Sequence, residues 1–341
     1  MFKNNAGDTS KKKIKTAIIG CGNFATKYHL PNIKKIPDYE LTTIVNTTGS
    51  KAKEIAKRNN IKNFTTDYHS VLSDQLIDMV VITTRHNLHV HLAIESIKAN
   101  KHVFLEKPMA LSLESAKELS EVVKRSSRKF TIGFNRRHSP LVKDTKQILS
   151  NQTTPIVINY RIANTFSPKN SWIHDPEEGG GMIMGECCHF FDLVYWLIGK
   201  EPQRIFAEGG NLTHPGNNIY DNAIITIKFN GGSIATITFT DLGSEDFPKE
   251  RIEIFSGDNV IVIDDFKKMT RYGETKKEVV LKNTDKGHFN QFVKFAENIR
   301  DNTEPAVTYK DGLRSALCCI KTLESIKTNL PKAIDMSSTE H

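Results

Sequence analysis

Three short stretches of this chain carry side chains whose types and spacing could do chemistry. The first is Gly20-Cys21-Gly22-Asn23-Phe24-Ala25, a GxGxxA pattern. Gly20 allows a tight turn, Gly22 lets backbone N–H groups approach a pyrophosphate, and Ala25 lets the next helix pack closely on the preceding strand. The N-terminus of that helix adds free N–H donors and partial positive charge. The second stretch is Glu106-Lys107-Pro108. Ligands of open α/β sheets sit outside the C-terminal ends of the strands, so a lysine there faces the ligand crevice. It can hydrogen-bond a hydroxyl or carbonyl oxygen, and burial beside a carboxylate tunes its pKa. The third is Gly179-Gly180-Gly181, followed by Glu186, Cys187, Cys188, His189 and Asp192. Glu186, His189 and Asp192 recur every three residues and share much of one helical face. A histidine there can take a hydroxyl proton while hydride leaves the carbon, and a nearby carboxylate would orient its ring.

A dinucleotide is the cofactor expected at the first stretch. An acid at the end of the second strand would hold the ribose 2′-OH of NAD. Here that position reads Asn46-Thr47-Thr48-Gly49-Ser50-Lys51, with no carboxylate. Small hydroxyls and Lys51, with Arg58 further along, suit a 2′-phosphate. NADP is therefore favoured over NAD, the other reading being that Ser50 simply caps the next helix. The expected cofactor contacts are Gly20, Gly22, Asn23, Phe24, Asn46, Thr47, Thr48 and Lys51, then Thr83, Thr84, Arg85, His89, Glu106, Lys107 and Asn135. Lys107, Glu186 and His189 are the expected catalytic groups. Arg136, Trp172 and His174 join those three as substrate contacts, Trp172 by stacking on a sugar face or else by packing in the core. Either Arg136 or Arg137 could bind an anionic substrate group or pair with an acid. The run from Thr84 to His91 holds three histidines, but no cysteine or acid at ligand spacing, so no metal is expected.

These groups need elements to position them. Apolar runs at 14–19, 41–45, near Phe64, at 78–83, 102–106 and 130–134 alternate with helical stretches at 23–35, 51–60, 87–99 and 112–126. Pro37 stops the first helix. That alternation predicts parallel βαβ units in a doubly wound sheet. After about residue 150 the strands lengthen and alternate: 156–163, 223–229, 233–241, 251–256 and 259–264, with a hairpin at Asn230-Gly231-Gly232. The fold class is α/β: an N-terminal Rossmann doubly wound parallel sheet, then a C-terminal α/β domain on an open, mostly antiparallel sheet. Helices near 186–198, 288–300 and 310–327 are expected to cover one face of it. The expected division is a leader over 1–13, a dinucleotide domain over 14–134 and a substrate and oligomerisation domain over 135–341, whose last helix can pack back on the first domain.

The turn GCGNFA, the strand in HVFLEKPMA, the stretch GFNRRHSP and the segment GGGMIMGECCHFFDLVYWLIG occur in that order. Together they resemble the glucose-fructose oxidoreductase/inositol dehydrogenase/rhizopine catabolism family over nearly the whole chain. The resemblance implies an NAD(P)-dependent oxidoreductase acting on sugars, cyclitols or nucleotide sugars, with the second sheet used for oligomer contacts. A redox glycosidase with recycled NAD and a non-catalytic dinucleotide-binding protein are the alternatives; intact Lys107 and His189 weigh against the latter. Many members carry an aspartate four residues before the histidine. Here Gly185 stands there, and the acid is Glu186. Arg85 stands where the family's Thr-Pro-Asn turn has its proline.

Composition narrows the field. The net charge is +8, but the lysines are scattered and form no basic stripe with interleaved aromatics, which weighs against nucleic acid. No apolar run is long enough for a membrane span. Five cysteines, four of them in two adjacent pairs, make a poor disulfide framework and suit a reducing cytoplasm. A homodimer or homotetramer is expected.

Overall fold

The computed structural model describes residues 12–150, 152–216 and 219–336. Most of the expected leader, residues 1–11, lies outside the described residues. The first sheet builds from β1 (Ile14–Ile19), α1 (Leu30–Lys35), β2 (Tyr39–Val45), α2 (Gly49–Arg58), β3 (Asn63–Thr65), α3 (Tyr68–Ser73), β4 (Met79–Ile82), α4 (His89–Lys98), β5 (His102–Leu105), α5 (Leu113–Lys124) and β6 (Phe130–Ile132). Its order is β3-β2-β1-β4-β5-β6, and every pairing is parallel. The chain winds outward from β1 to β3, then returns to the other side of β1 at β4. The ends of β1 and β4 therefore flank the switch point where such sheets bind ligands. β4 is buried on both faces, as its unbroken apolar run requires.

After α6 (Pro140–Ser150), the second sheet uses β7 (Val157–Thr165) and, beyond α7 (Cys188–Ile198), β8 (Pro202–Gly210), β9 (Asn222–Phe229), β10 (Ile234–Gly243), β11 (Glu250–Ser256), β12 (Asn259–Asp264), β13 (Lys268–Tyr272) and β14 (Lys277–Val280). Two helices follow, α8 (His288–Arg300) and α9 (Tyr309–Thr328), and then a short β15 (Lys332–Ala333). The order is β14-β13-β12-β11-β7-β10-β9-β8-β15, and only β7–β10 is parallel. Strict alternation in β9 sends Ile225 and Ile227 inward and Ile224 outward.

One expectation is corrected. α9 lies between α7 and β8 on one side and α5 on the other, so it bridges the two sheets. Its start is fixed by a reciprocal cap between Thr308 and Asp311. α8, however, does not cover the second sheet. Phe292 stacks on Phe104 with ring centroids 4.4 Å apart, and Phe295 joins Leu30 and Ile33 in the same core, beneath the parallel sheet. The apolar spacing of α8 says that one face is buried, but not against which sheet.

Candidate active site

The glycine turn has the geometry of a phosphate cradle. Gly20 sits at φ +85°, and an added Cβ would stand 2.5 Å from Cγ2 of Thr84. Only glycine lets the ends of β1 and β4 approach so closely. Over Gly22 the space is open: a Cβ there would meet nothing nearer than the Gly20 carbonyl oxygen at 3.8 Å. Asn46 donates to the Cys21 carbonyl at 2.9 Å, and the Thr83 hydroxyl donates to that of Gly20 at 2.9 Å, so both brace the turn. The Thr84 hydroxyl is buried with no partner, a group that a bound ligand would satisfy. Asn23, Thr47, Thr48 and Lys51 are exposed at the rim. So is Phe24, 5.0 Å from the Tyr28 ring and 6.0 Å from that of His288. Open ground above Gly22, braced by β2 and β4 and lined by donors, fits a dinucleotide pyrophosphate. Ser50 is not the helix cap, because it lies within α2, whose N-cap is Thr48. Arg58 pairs with Glu54 at 2.7 Å instead of turning to the rim.

The second and third stretches meet. Lys107, just past β5, donates to Oε1 of Glu186 at 2.6 Å and to the Gly185 carbonyl at 2.9 Å. Glu186 rides on a widened, π-type helical turn (Ile183–Cys187) that leads into α7; such turns recur at functional sites. Burial pushes the Glu186 carboxyl up, but the Lys107 and Lys249 charges outweigh it and hold the group at about 2. Burial pulls the Lys107 ammonium down, and Glu186 more than restores it. His189 opens α7 and is buried, its ring 5.9 Å from that of Phe134. Burial, then the charges of Arg136 and Lys107, keep its imidazole neutral well below the ordinary value. Its Nδ1 is buried without a partner.

The helical face is not shared as its spacing suggested. Asp192 does not orient His189. Arg137 takes it in a two-pronged pair, with Nε 2.8 Å from Oδ2, and also reaches Asp311 at 2.8 Å. Asp311 in turn meets Arg314, which pairs with Glu201. This buried chain of charges ties the end of the first sheet to α7 and α9.

Several expected contacts sit one layer back. Arg136 is clasped by Glu250 at 2.8 Å through both Nε and Nη2, so it is not free to bind an anion. Glu106 accepts from His29 at 2.7 Å. Burial would raise its carboxyl, but His29 and Lys107 hold it below the usual range. Both ring nitrogens of His89 face carbonyls, of Pro108 at 2.8 Å and Thr84 at 3.2 Å, so the ring pins two turns together behind the surface. Asn135 donates to the Lys286 carbonyl at 2.7 Å. Arg85 pairs with Glu178 and lies over the Trp172 ring. Trp172 and His174 line an open cavity of about 770 Å³ with Arg85, Lys169 and Glu178; Lys107, Glu186 and His189 do not line it.

Sequence reasoning missed His29, Lys286, Asp241 and Lys249. Glu250 gathers Arg136, Lys286 and the Tyr160 hydroxyl around one carboxylate. No spacing signals such a cluster, because its members come from four separate segments. Among the described residues, no group of three His, Cys, Asp or Glu is placed to hold a metal ion, and no helix is long and apolar enough to cross a membrane.

A parallel sheet with a glycine cradle at its switch point, faced by a helix from beside a second sheet, defines a two-sheet dinucleotide oxidoreductase. A family described as an oxidoreductase family with an NAD-binding Rossmann fold matches residues 14–134, and the GFO/IDH/MocA C-terminal domain matches residues 153–259. The chain belongs to this GFO/IDH/MocA family. It is similar to the myo-inositol 2-dehydrogenase of Thermotoga maritima, with 25% identity over 89% of this chain and 93% of that protein. It is equally similar to the scyllo-inositol 2-dehydrogenase (NAD(+)) of Bacillus subtilis, with 25% identity over 95% and 97%. A levoglucosan dehydrogenase solved with NADH shares the fold, with a TM-score of 0.84 at 19% identity, over 95% of this chain and 100% of that one.

Proposed function

We propose that this chain is an NAD(P)-dependent dehydrogenase or reductase that moves a hydride between the nicotinamide and a hydroxyl-bearing carbon of a sugar, cyclitol or nucleotide sugar. The observation that carries the reading is the meeting of Lys107, from the end of β5, with Glu186, three residues before His189. Relatives named inositol dehydrogenases support the substrate class. Bound on the glycine cradle, the nicotinamide supplies or accepts the hydride. The protein's part is the proton. Lys107, kept charged by Glu186, hydrogen-bonds the reacting oxygen and stabilises negative charge on it. His189, kept neutral by burial, has a free lone pair to take the hydroxyl proton. Glu186 fills the place of the missing aspartate by holding Lys107 rather than by orienting His189.

Residues 14–134 then form the dinucleotide domain and residues 135–341 the substrate and oligomerisation domain. The exposed Thr47, Thr48 and Lys51, without an acid, favour NADP over NAD. The outward face of the second sheet, with Val157, Ile224, Ile234 and Phe255 exposed, is the contact of a homodimer or homotetramer. Five free, buried cysteines suit a reducing cytoplasm.

A panel of sugars, cyclitols and nucleotide sugars with each cofactor, read by nicotinamide absorbance, tests the function. Reduction of cofactor by at least one member of the panel is expected. Product formed without net cofactor change would assign the recycled-cofactor reaction instead, and absence of cofactor binding would overturn both.

A further inference from the structure

The cations around Glu186 are not alike. Lys107 is matched by Glu186, while Arg136 and Lys286 both lean on Glu250. Lys249 is the exception. It is partly exposed and stands just before β11, and no described residue pairs with its ammonium by hydrogen bond or ion pair. Its backbone is fixed: its carbonyl accepts from the Ala163 N–H at 2.9 Å, and the carbonyl of Pro248 accepts from Arg161 at 2.8 Å. Its neighbour Glu250 is locked by Arg136. The ammonium lies within electrostatic reach of Glu186 and His189. Burial pulls it below its ordinary value, and the nearby Arg136 and Lys286 charges add to that, against the pull of Glu186 and Glu250. A cation held in that condition gains from an incoming anion. Asp241, in electrostatic reach of both Lys249 and Glu186, accepts from Asn164 through Oδ1, while its Oδ2 is buried and unpartnered. Asp241 is wholly buried, so of the two only Lys249 is open to a ligand.

We infer that Lys249 binds an anionic oxygen group, a carboxylate or a phosphate, carried by the sugar: the substrate is an acidic sugar rather than a neutral polyol. Arg136 and Arg137, the cations that the sequence singles out for such a role, are already neutralised by Glu250 and by Asp192 with Asp311. The inference rests on the dehydrogenase reading of the same site.

The test is calorimetric titration of the full chain saturated with reduced cofactor, using D-glucose, D-glucuronate and D-glucose 6-phosphate as probes. One acidic probe should bind at least about tenfold tighter than glucose, the scale of one charge-assisted hydrogen bond. Which probe it is separates a carboxylate from a phosphate. Lys249→Met should erase the difference, and Lys249→Arg should keep it. Equal binding of all three probes, or a preference that survives Lys249→Met, overturns the inference while leaving the dehydrogenase reading intact. Failure of both reduced cofactors to bind overturns that reading and this inference together.

Discussion

The imidazole of His86 occupies the volume that a side chain at position 185 would need. A Cβ added to Gly185 would stand 2.9 Å from Cε1 of His86 and 2.6 Å from Cδ1 of Ile173. His86 is fixed there, because its Nδ1 donates to the Gly179 carbonyl at 2.8 Å and its ring meets the edge of Trp172 at 4.7 Å. The acid therefore reaches Lys107 from the next position along. Gly185→Asp should overpack this corner and cost about 1–3 kcal/mol, read by thermal denaturation. Adding His86→Ala should recover part of the loss. A Gly185→Asp protein that melts with its parent would show that the corner has room.

His189→Ala should lower turnover by roughly a hundredfold to ten-thousandfold, the usual worth of a general base. Cofactor affinity should change little, because the proposed role of the imidazole is to take a proton and not to hold the cofactor. Since burial holds the ring neutral well below its ordinary value, kcat/KM should show no acid limb near pH 6.5 from this group. Glu186→Gln should depress turnover too, by releasing Lys107. Unchanged kinetics in either variant would remove that residue from the chemistry.

Gly22→Asp should abolish cofactor binding while leaving the melting temperature near that of the parent, since nothing of the protein occupies the space above Gly22. Lys51→Ala should weaken NADP more than NAD. Titration of both cofactors decides this, and an NAD preference untouched by Lys51→Ala would end the case for a 2′-phosphate site.

Stability should fall in mild acid. Burial holds His86 and His138 at about 3, and His102 and His288 at about 4. Each is neutral in the folded chain, whereas the unfolded chain takes up its proton near pH 6.5. Below that value the unfolded state binds more protons, so stability drops as pH falls, by up to about 1.4 kcal/mol per pH unit for each such ring. The drop continues until the folded values are reached. Burial raises the Asp192 and Asp241 carboxyls to about 7 and 6, which acts in the opposite direction, but the four rings outnumber them. Melting temperature measured between about pH 7 and 5 should decline; a rise would mean that the rings are charged in the fold.

Light scattering should find a dimer or tetramer at micromolar concentration. Ile224→Lys with Ile234→Lys, on the outward face of neighbouring strands, should shift it towards monomer. A parent that is already monomeric would exclude this face as the contact.

Much of the fold was legible because it rests on local pattern. β1 and β4 are apolar on both faces, and GxGxxA follows β1 directly. β14 was not legible: Lys277-Glu278-Val279-Val280 is an exposed edge strand with no buried face to leave a period. The sequence does not single out α6 or β8, and the latter mixes charge with its apolar residues. At the site, Lys107 and His189 stood out through their motifs. The partners of the arginines did not, since Arg136 and Glu250 lie 114 positions apart and only the folded chain brings them together. Lys249 carries no motif at all. Its interest arises from a carboxylate it lacks.

The seat of α8 has a consequence for how the protein is made. Phe292 and Phe295 complete a core otherwise built from the first sheet and its early helices. During synthesis that sheet leaves the ribosome long before α8 does, with β7 to β14 of the second sheet translated between β6 and α8. At usual elongation rates the wait is on the order of ten to thirty seconds, during which Phe104 and Leu30 lack their cover. The nascent N-terminal half is thus an open client for a chaperone until α8 emerges, and a message truncated before His288 would leave it so.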